Sequence, residues 1–242
     1  PVYSVGSQIR EVLKLHREMR SSEARVEAVS RLMEVGMPDP EEAARAFPHQ
    51  LSGGMRQRAM IAMALAGQPS LLVADEPTTA LDATVQLQIL DLLRAIQARH
   101  GMALLLISHD LDVVSRVCDR IMVLYAGRVM EEGPTADILN RSAHPYTQGL
   151  LASRLSIHHR RLGLKPIPGE VPDATGWPPG CRFHPRCPVA MERCRREEPP
   201  LLPAGNDGGD QQEDAVRDNP GSRSSSAAGR CWLFRSPVGE DP

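Results

Sequence analysis

The chain has 242 residues, 41% of them hydrophobic, which is enough for one globular core with an appendage and less than most two-domain enzymes use. Its formal net charge is −2 and its 28 Lys and Arg are spread along the chain, so no basic block argues for nucleic acid. The longest apolar runs, such as "MALLLI" at 102–107, fall far short of the roughly 20 residues that cross a bilayer, and no signal peptide opens the sequence. A soluble intracellular protein is expected. Position 1 is Pro, and the pattern starts in its middle at "PVYSVGSQIREVL", as a fragment or truncated reading frame would.

Residues 5–35 read as two helices, with Ile9, Val12, Leu13 and His16 on one face and Val26, Val29 and Met33 on another, and with Gly36 as the stop. Pro38, Pro40 and Pro48 then punctuate an acidic segment. Ser52 suits the N-cap of a helix from about Gly54 to Ala66, which Gly67 ends. "SLLVAD" at 70–75 is a short apolar run ending in charge, the pattern of a buried parallel strand. Asp82 caps a further helix to about His100, Gly101 stops it, and "MALLLIS" is a second buried strand leading to His109. Strand, helix, strand with all-apolar strands predicts an α/β sheet covered on both faces. "RIMVLYAGRVMEEG" at 120–133 predicts a β-hairpin turning at Ala126-Gly127, and "TADILN" and "HPYTQGLLAS" two short closing helices. From about Ser156 the composition shifts to Pro, Gly, Cys and Arg, and 203–230 has almost no apolar content, so a disordered loop is expected there.

Ligands of open α/β sheets bind beyond the carboxyl ends of the strands, where Asp75, Glu76 and His109 fall. An Asp closing an apolar strand suits Mg²⁺, a Glu one step further can point at an attacking water, and His109 can reach a transferred phosphate. Singly, Asp-Glu-Pro and Ser-His-Asp are also turn and cap chemistry. Together with the Ser-Gly-Gly helix start they mark a site.

The residues "LSGGMRQR" (51–58) resemble the signature motif of ABC-type ATPases, "LLVADEP" their Walker B strand, "TALD" (79–82) their D-loop and "LLLISHD" their switch-histidine strand. The four stand in the family's order and spacing, and the resemblance covers residues 1 to about 155. It implies the fold class: α/β, the C-terminal portion of a P-loop NTPase core plus helical subdomain, followed at 156–242 by a small Cys-containing lobe. It also implies ATP and Mg²⁺, with Asp75 organising Mg²⁺, Glu76 as catalytic base and His109 at the γ-phosphate. Ser52, Gly53 and Gly54 would offer backbone N–H groups at a helix N-terminus to the ATP of an opposite subunit, with Asp82 in the D-loop. Met55 departs from the family's usual Gln. A phosphate loop G-x-x-x-x-G-K-[ST] needs Lys after Gly, and neither Lys14 nor Lys165 follows one. The chain is thus expected to begin just past the glutamine loop and to be inactive alone.

Of the five cysteines, Cys118 in "VSRVCDRIMVL" reads as a small buried thiol. Cys181, Cys187, Cys194 and Cys231 suit Zn²⁺ or an iron-sulfur cluster in a reducing compartment, though their spacing matches no zinc ribbon. "HPYTQGLL", "IPGEVP", "GCRFHPRCP" and "EEPPL" are similar to the C-terminal region of dipeptide and oligopeptide importer ATPase subunits, with nickel importers close by. That resemblance implies a four-cysteine iron-sulfur site, placing zinc second. It also implies a peripheral protein at the cytoplasmic face of the bacterial inner membrane, powering peptide import with a second ATPase subunit, two membrane permeases and an extracytoplasmic peptide-binding protein, and no nucleic acid. A non-catalytic remnant and a soluble ABC ATPase of DNA repair or translation stay as alternatives.

Overall fold

The computed structural model describes residues 3–153, 166–203 and 227–234. Two compact units divide the chain, Pro1–Val117 and Cys118–Pro242. The first holds α1 (Val5–Arg17), α2 (Ser21–Glu34), α3 (Pro40–Arg45), α4 (Gly53–Ala66), β1 (Leu71–Asp75), α5 (Ala83–His100), β2 (Ala103–Ile107) and α6 (Leu111–Val117). Helix α1 buries Val5, Ile9 and Leu13, one per turn as the 3.6 period requires. A Cβ on Gly6 would stand 2.8 Å from the Ala44 carbonyl oxygen, so α1 and α3 meet backbone to backbone there.

On α2 the structure corrects the expected face. Ala24, Ala28 and Leu32 are buried, whereas Val26 and Met33 are 73% and 65% exposed. The helix packs against α1, α3 and α4 together, and small side chains let those axes close. Helix α3 arises where the sequence suggested only punctuation: Pro40 starts it and the Asp39 carboxylate accepts from Glu42 N–H at 3.0 Å. Glu34 then ties α2 to α5, accepting from Arg31 at 2.7 Å and meeting His100 Nε2 at 2.6 Å.

β1 and β2 pair in parallel, from Leu71 opposite Ala103 to Asp75 opposite Ile107. One face joins the core, where Leu72 packs with Ile61, Ala62 and Leu65 of α4 and Ile89, Leu93 and Ile96 of α5. The expected cover on both faces is not found among the described residues. Leu71, Val73, Leu105 and Ile107 are each about half exposed, because both packed helices lie on the other side.

The second unit contains β3 (Arg120–Tyr125), β4 (Arg128–Pro134), α7 (Thr135–Arg141), α8 (Pro145–Ala152), α9 (Glu192–Arg196), β5 (Leu202–Pro203) and β6 (Ala228–Gly229), with an antiparallel sheet ordered β3-β4-β6-β5. The hairpin turns at Ala126 and Gly127, both left-handed at φ 49° and 74°, which matches the strands' twist. The compact division at 117/118 lies earlier than the compositional shift near 155, because Gly229 and Ala228 add to the hairpin edge opposite Glu131 and Glu132. The ends of the expected disordered loop are therefore strands, and its interior, 204–226, lies outside the described residues. Tyr125, Tyr146 and Phe183 form the aromatic centre, with Phe183 edge-on to Tyr125 at 5.3 Å. Among the described residues no helix is long and apolar enough to cross a membrane.

Candidate functional site

The first unit carries two groups of the sequence-picked residues. In one, Ser52 caps α4 in the extended conformation, its hydroxyl accepting from Met55 N–H at 3.3 Å. Gly53 and Gly54 open the helix, leaving their N–H groups outside its hydrogen-bond ladder. A Cβ on Gly54 would lie 2.7 Å from Val85 Cγ1, and one on Gly53 3.2 Å from Leu81 Cδ2. The Ser-Gly-Gly turn thus sits on the start of α5, whose own cap is Asp82, accepting from Val85 N–H at 2.9 Å.

The other group lies at the strand ends. Glu76 N–H donates to the Ile107 carbonyl at 3.0 Å, carrying the ladder one residue past β1. Glu76 then enters the left-handed region at φ 47°, which costs a non-glycine residue about 1–3 kcal/mol. Its Oε1 faces His109 Nδ1 at 2.8 Å and accepts from His109 backbone N–H at 3.2 Å; its Oε2 accepts from the Thr79 hydroxyl at 2.7 Å. An ionised carboxylate only accepts, so Nδ1 carries the proton. The His109 bond, followed by that of Thr79, holds the Glu76 carboxyl below its ordinary value, and Glu76 raises His109 in return. Glu76 is thereby ionised at neutral pH, and the imidazole is biased towards its cationic form. The Asp75 side chain, exposed beside them, has no hydrogen-bond or ion-pair partner among the described residues. No hydrogen bond among the described residues joins this group to the Ser52 group.

In the second unit, Cys181, Cys187, Cys194 and Cys231 line one pocket with His144, Phe183 and Trp232. Cys181, Cys194 and Cys231 are buried and Cys187 half-buried. Burial raises the Cys181 and Cys187 thiols and pushes Cys231 to about 11. Sequence reasoning thus chose four residues that do meet. Yet among the described residues no three His, Cys, Asp or Glu side chains are placed to hold one metal ion, so neither iron-sulfur nor zinc is supported here. The four side chains share one pocket without the spacing of ligands to a single ion. Cys118 is half-buried, its thiol raised by burial and then by Asp119, as befits an unreactive group.

Two residues escaped the sequence reading. Thr79 stands three positions after Glu76, the spacing at which a turn returns a side chain to its neighbour. His144 is buried, caps α8 by accepting from Tyr146 N–H at 3.0 Å, and is held by burial at a pKa of about 4; nothing in its spacing signals this.

The first unit has the α/β fold of ABC transporter ATPase cassettes. Residues 3–79 match the ABC transporter family, and 130–194 match the oligopeptide/dipeptide transporter C-terminal region. A solved dimeric bacterial ABC transporter cassette, MJ0796, superposes with a TM-score of 0.50 at 31% identity, over 56% of this chain and 58% of that one. More narrowly, the chain is strongly homologous to ATP-binding proteins of peptide import. It is 49% identical over 201 residues to the dipeptide transport ATP-binding protein DppD of Escherichia coli, covering 83% of this chain and 62% of that protein. It is 48% identical over 202 residues to the oligopeptide transport ATP-binding protein AppD of Bacillus subtilis, covering 84% and 62%. The chain therefore spans about three fifths of the length of these curated relatives.

Proposed function

We propose that the chain is part of the ATP-hydrolysing subunit of a bacterial peptide importer. The observation that carries this reading is the Glu76 carboxylate, ionised, held by His109 and standing one residue past a strand-end Asp. In this reading Glu76 takes a proton from the attacking water and the His109 ring faces the developing phosphate charge. Asp75 fits Mg²⁺, since that ion keeps most of its waters and uses one or two carboxylates beside substrate phosphates. Mg²⁺ when bound supplies charge neutralisation. Ser52, Gly53 and Gly54 would meet the nucleotide of a second ATPase subunit, a role supported by their free helix N-terminus and by the dimeric state of the solved cassette.

The remaining partners we propose are two membrane permeases and an extracytoplasmic peptide-binding protein, with this subunit at the cytoplasmic face of the membrane; the similarity to dipeptide and oligopeptide transport ATP-binding proteins supports this reading. These 242 residues contain no phosphate loop, and we propose that by themselves they do not bind Mg-ATP at micromolar concentration. For the four-cysteine pocket only the donor chemistry supports iron-sulfur, with zinc second; iron and zinc analysis of anaerobically purified protein decides it. The test of the main reading is Glu76→Gln in the full-length subunit within its assembled transporter. ATP binding should persist while hydrolysis falls by about 10²–10⁴-fold, and near-normal turnover would refute the assignment.

A further inference from the structure

We propose that Thr79 is a positioning residue for hydrolysis, its hydroxyl fixing the oxygen of Glu76 that receives the proton of the attacking water. This rests on the reading of Glu76 as the base. The argument is an inventory of lone pairs. A carboxylate oxygen has two acceptor directions. At Oε1 both are taken, by His109 Nδ1 at 2.8 Å and His109 N–H at 3.2 Å. At Oε2 one is taken, by the Thr79 hydroxyl at 2.7 Å. The one remaining acceptor direction therefore belongs to Oε2, and the two occupied edges fix its aim. His109 alone leaves the carboxylate free to swing about its contact at Oε1; Thr79 stops the swing.

The backbone supports the same arrangement. Thr79 N–H closes a turn on the Glu76 carbonyl at 3.2 Å, and Leu81 N–H a second on the Thr78 carbonyl at 3.3 Å. Thr78 is buried, so the turn is anchored from beneath while Thr79 faces the site.

The experiment follows ATP hydrolysis in the full-length subunit within its assembled transporter, for Thr79→Val, Thr79→Ser and Glu76→Gln. Thr79→Val should lower kcat roughly tenfold, the scale of one hydrogen bond to a charged group. It should leave KM for Mg-ATP unchanged, while Thr79→Ser, which keeps the hydroxyl, restores kcat. A Thr79→Val enzyme with wild-type kcat, beside an inactive Glu76→Gln, overturns the role of Thr79 and leaves Glu76 as the base. A raised KM, or a loss of kcat that Ser does not rescue, also overturns it, by showing a merely structural turn. Near-normal turnover in Glu76→Gln removes the base assignment, and the role of Thr79 with it.

Discussion

Gly180→Ala should unfold the cysteine lobe locally. Gly180 is left-handed at φ 68°, and a Cβ there would lie 2.4 Å from the Cys194 carbonyl oxygen, 2.9 Å from Arg195 C and 3.0 Å from Arg196 N. All three are backbone atoms, so no side-chain rotation relieves the clash. The same carbonyl accepts Cys181 N–H at 2.9 Å, and that bond seats two of the four thiols. The left-handed conformation costs alanine about 1–2 kcal/mol, and overpacking a site that cannot give adds about 1–3 kcal/mol. A loss of about 2–5 kcal/mol is therefore expected. Urea unfolding gives the loss from the midpoint at constant slope, and the rate of thiol modification at Cys181 and Cys194 reports the local opening. Gly67→Ala is the control: at φ −77° a Cβ there meets nothing within 4 Å, so it should be neutral or slightly stabilising. Equal midpoints and equally protected thiols in Gly180→Ala and wild type would refute the argument.

His144 makes the second unit sensitive to acid. Its folded pKa, about 4, lies below the ordinary 6.5, so between those values the unfolded chain binds the proton that the folded lobe refuses, and stability falls as pH falls from 6.5 to 4. At about 1.4 kcal/mol per pH unit the loss approaches about 3 kcal/mol. His144→Asn keeps an acceptor for Tyr146 N–H and should flatten this slope in pH-dependent unfolding; parallel slopes would contradict it. In the first unit, Gly54→Ala should cost about 1–3 kcal/mol by driving Val85 from its place. Much of that loss should return in the double variant with Val85→Ala, and a strictly additive thermal-unfolding cycle would show that the two do not touch.

Elements with a chemical boundary were legible in the sequence. Ser52, Asp82, Gly36 and Gly101 mark their helix ends because caps and left-handed stops are local events. Which face of a helix is buried is not local. On α2 hydropathy favoured Val26 and Met33, while three neighbouring helices selected Ala24, Ala28 and Leu32. The strands show the converse: all-apolar β1 and β2 call for cover on two faces, and the described residues supply it on one. In the tail the cysteines announced that they meet, because four of one kind cluster in a Pro-rich lobe. Their geometry was beyond spacing alone, since the chain returns to Cys231 through the pairing of β6 with β4.

Backbone strain links the turn after β1 to its chemistry. Among the described residues, six that are not glycine have positive φ. Glu18 ends α1, Asp39 caps α3, Gln68 follows the cap of α4 and Ala126 makes the hairpin turn, all places where left-handed backbone serves the local structure. Glu76 and Ala80 do neither. They flank Thr79 at φ 47° and 64°, ending no helix and turning no hairpin. Strain of about 1–3 kcal/mol at each persists only where neighbouring contacts over-determine the conformation. Here those contacts can be named: the Ile107 carbonyl holding Glu76 N–H, the two successive turns, and the His109 and Thr79 bonds to the carboxylate. Every one of them also aims Glu76 Oε2. A turn selected only to connect β1 to α5 gains nothing from that aim, and relaxed backbone would connect them at lower cost; on the proposed reading of Glu76 as the base, the strain is explained by the carboxylate it positions.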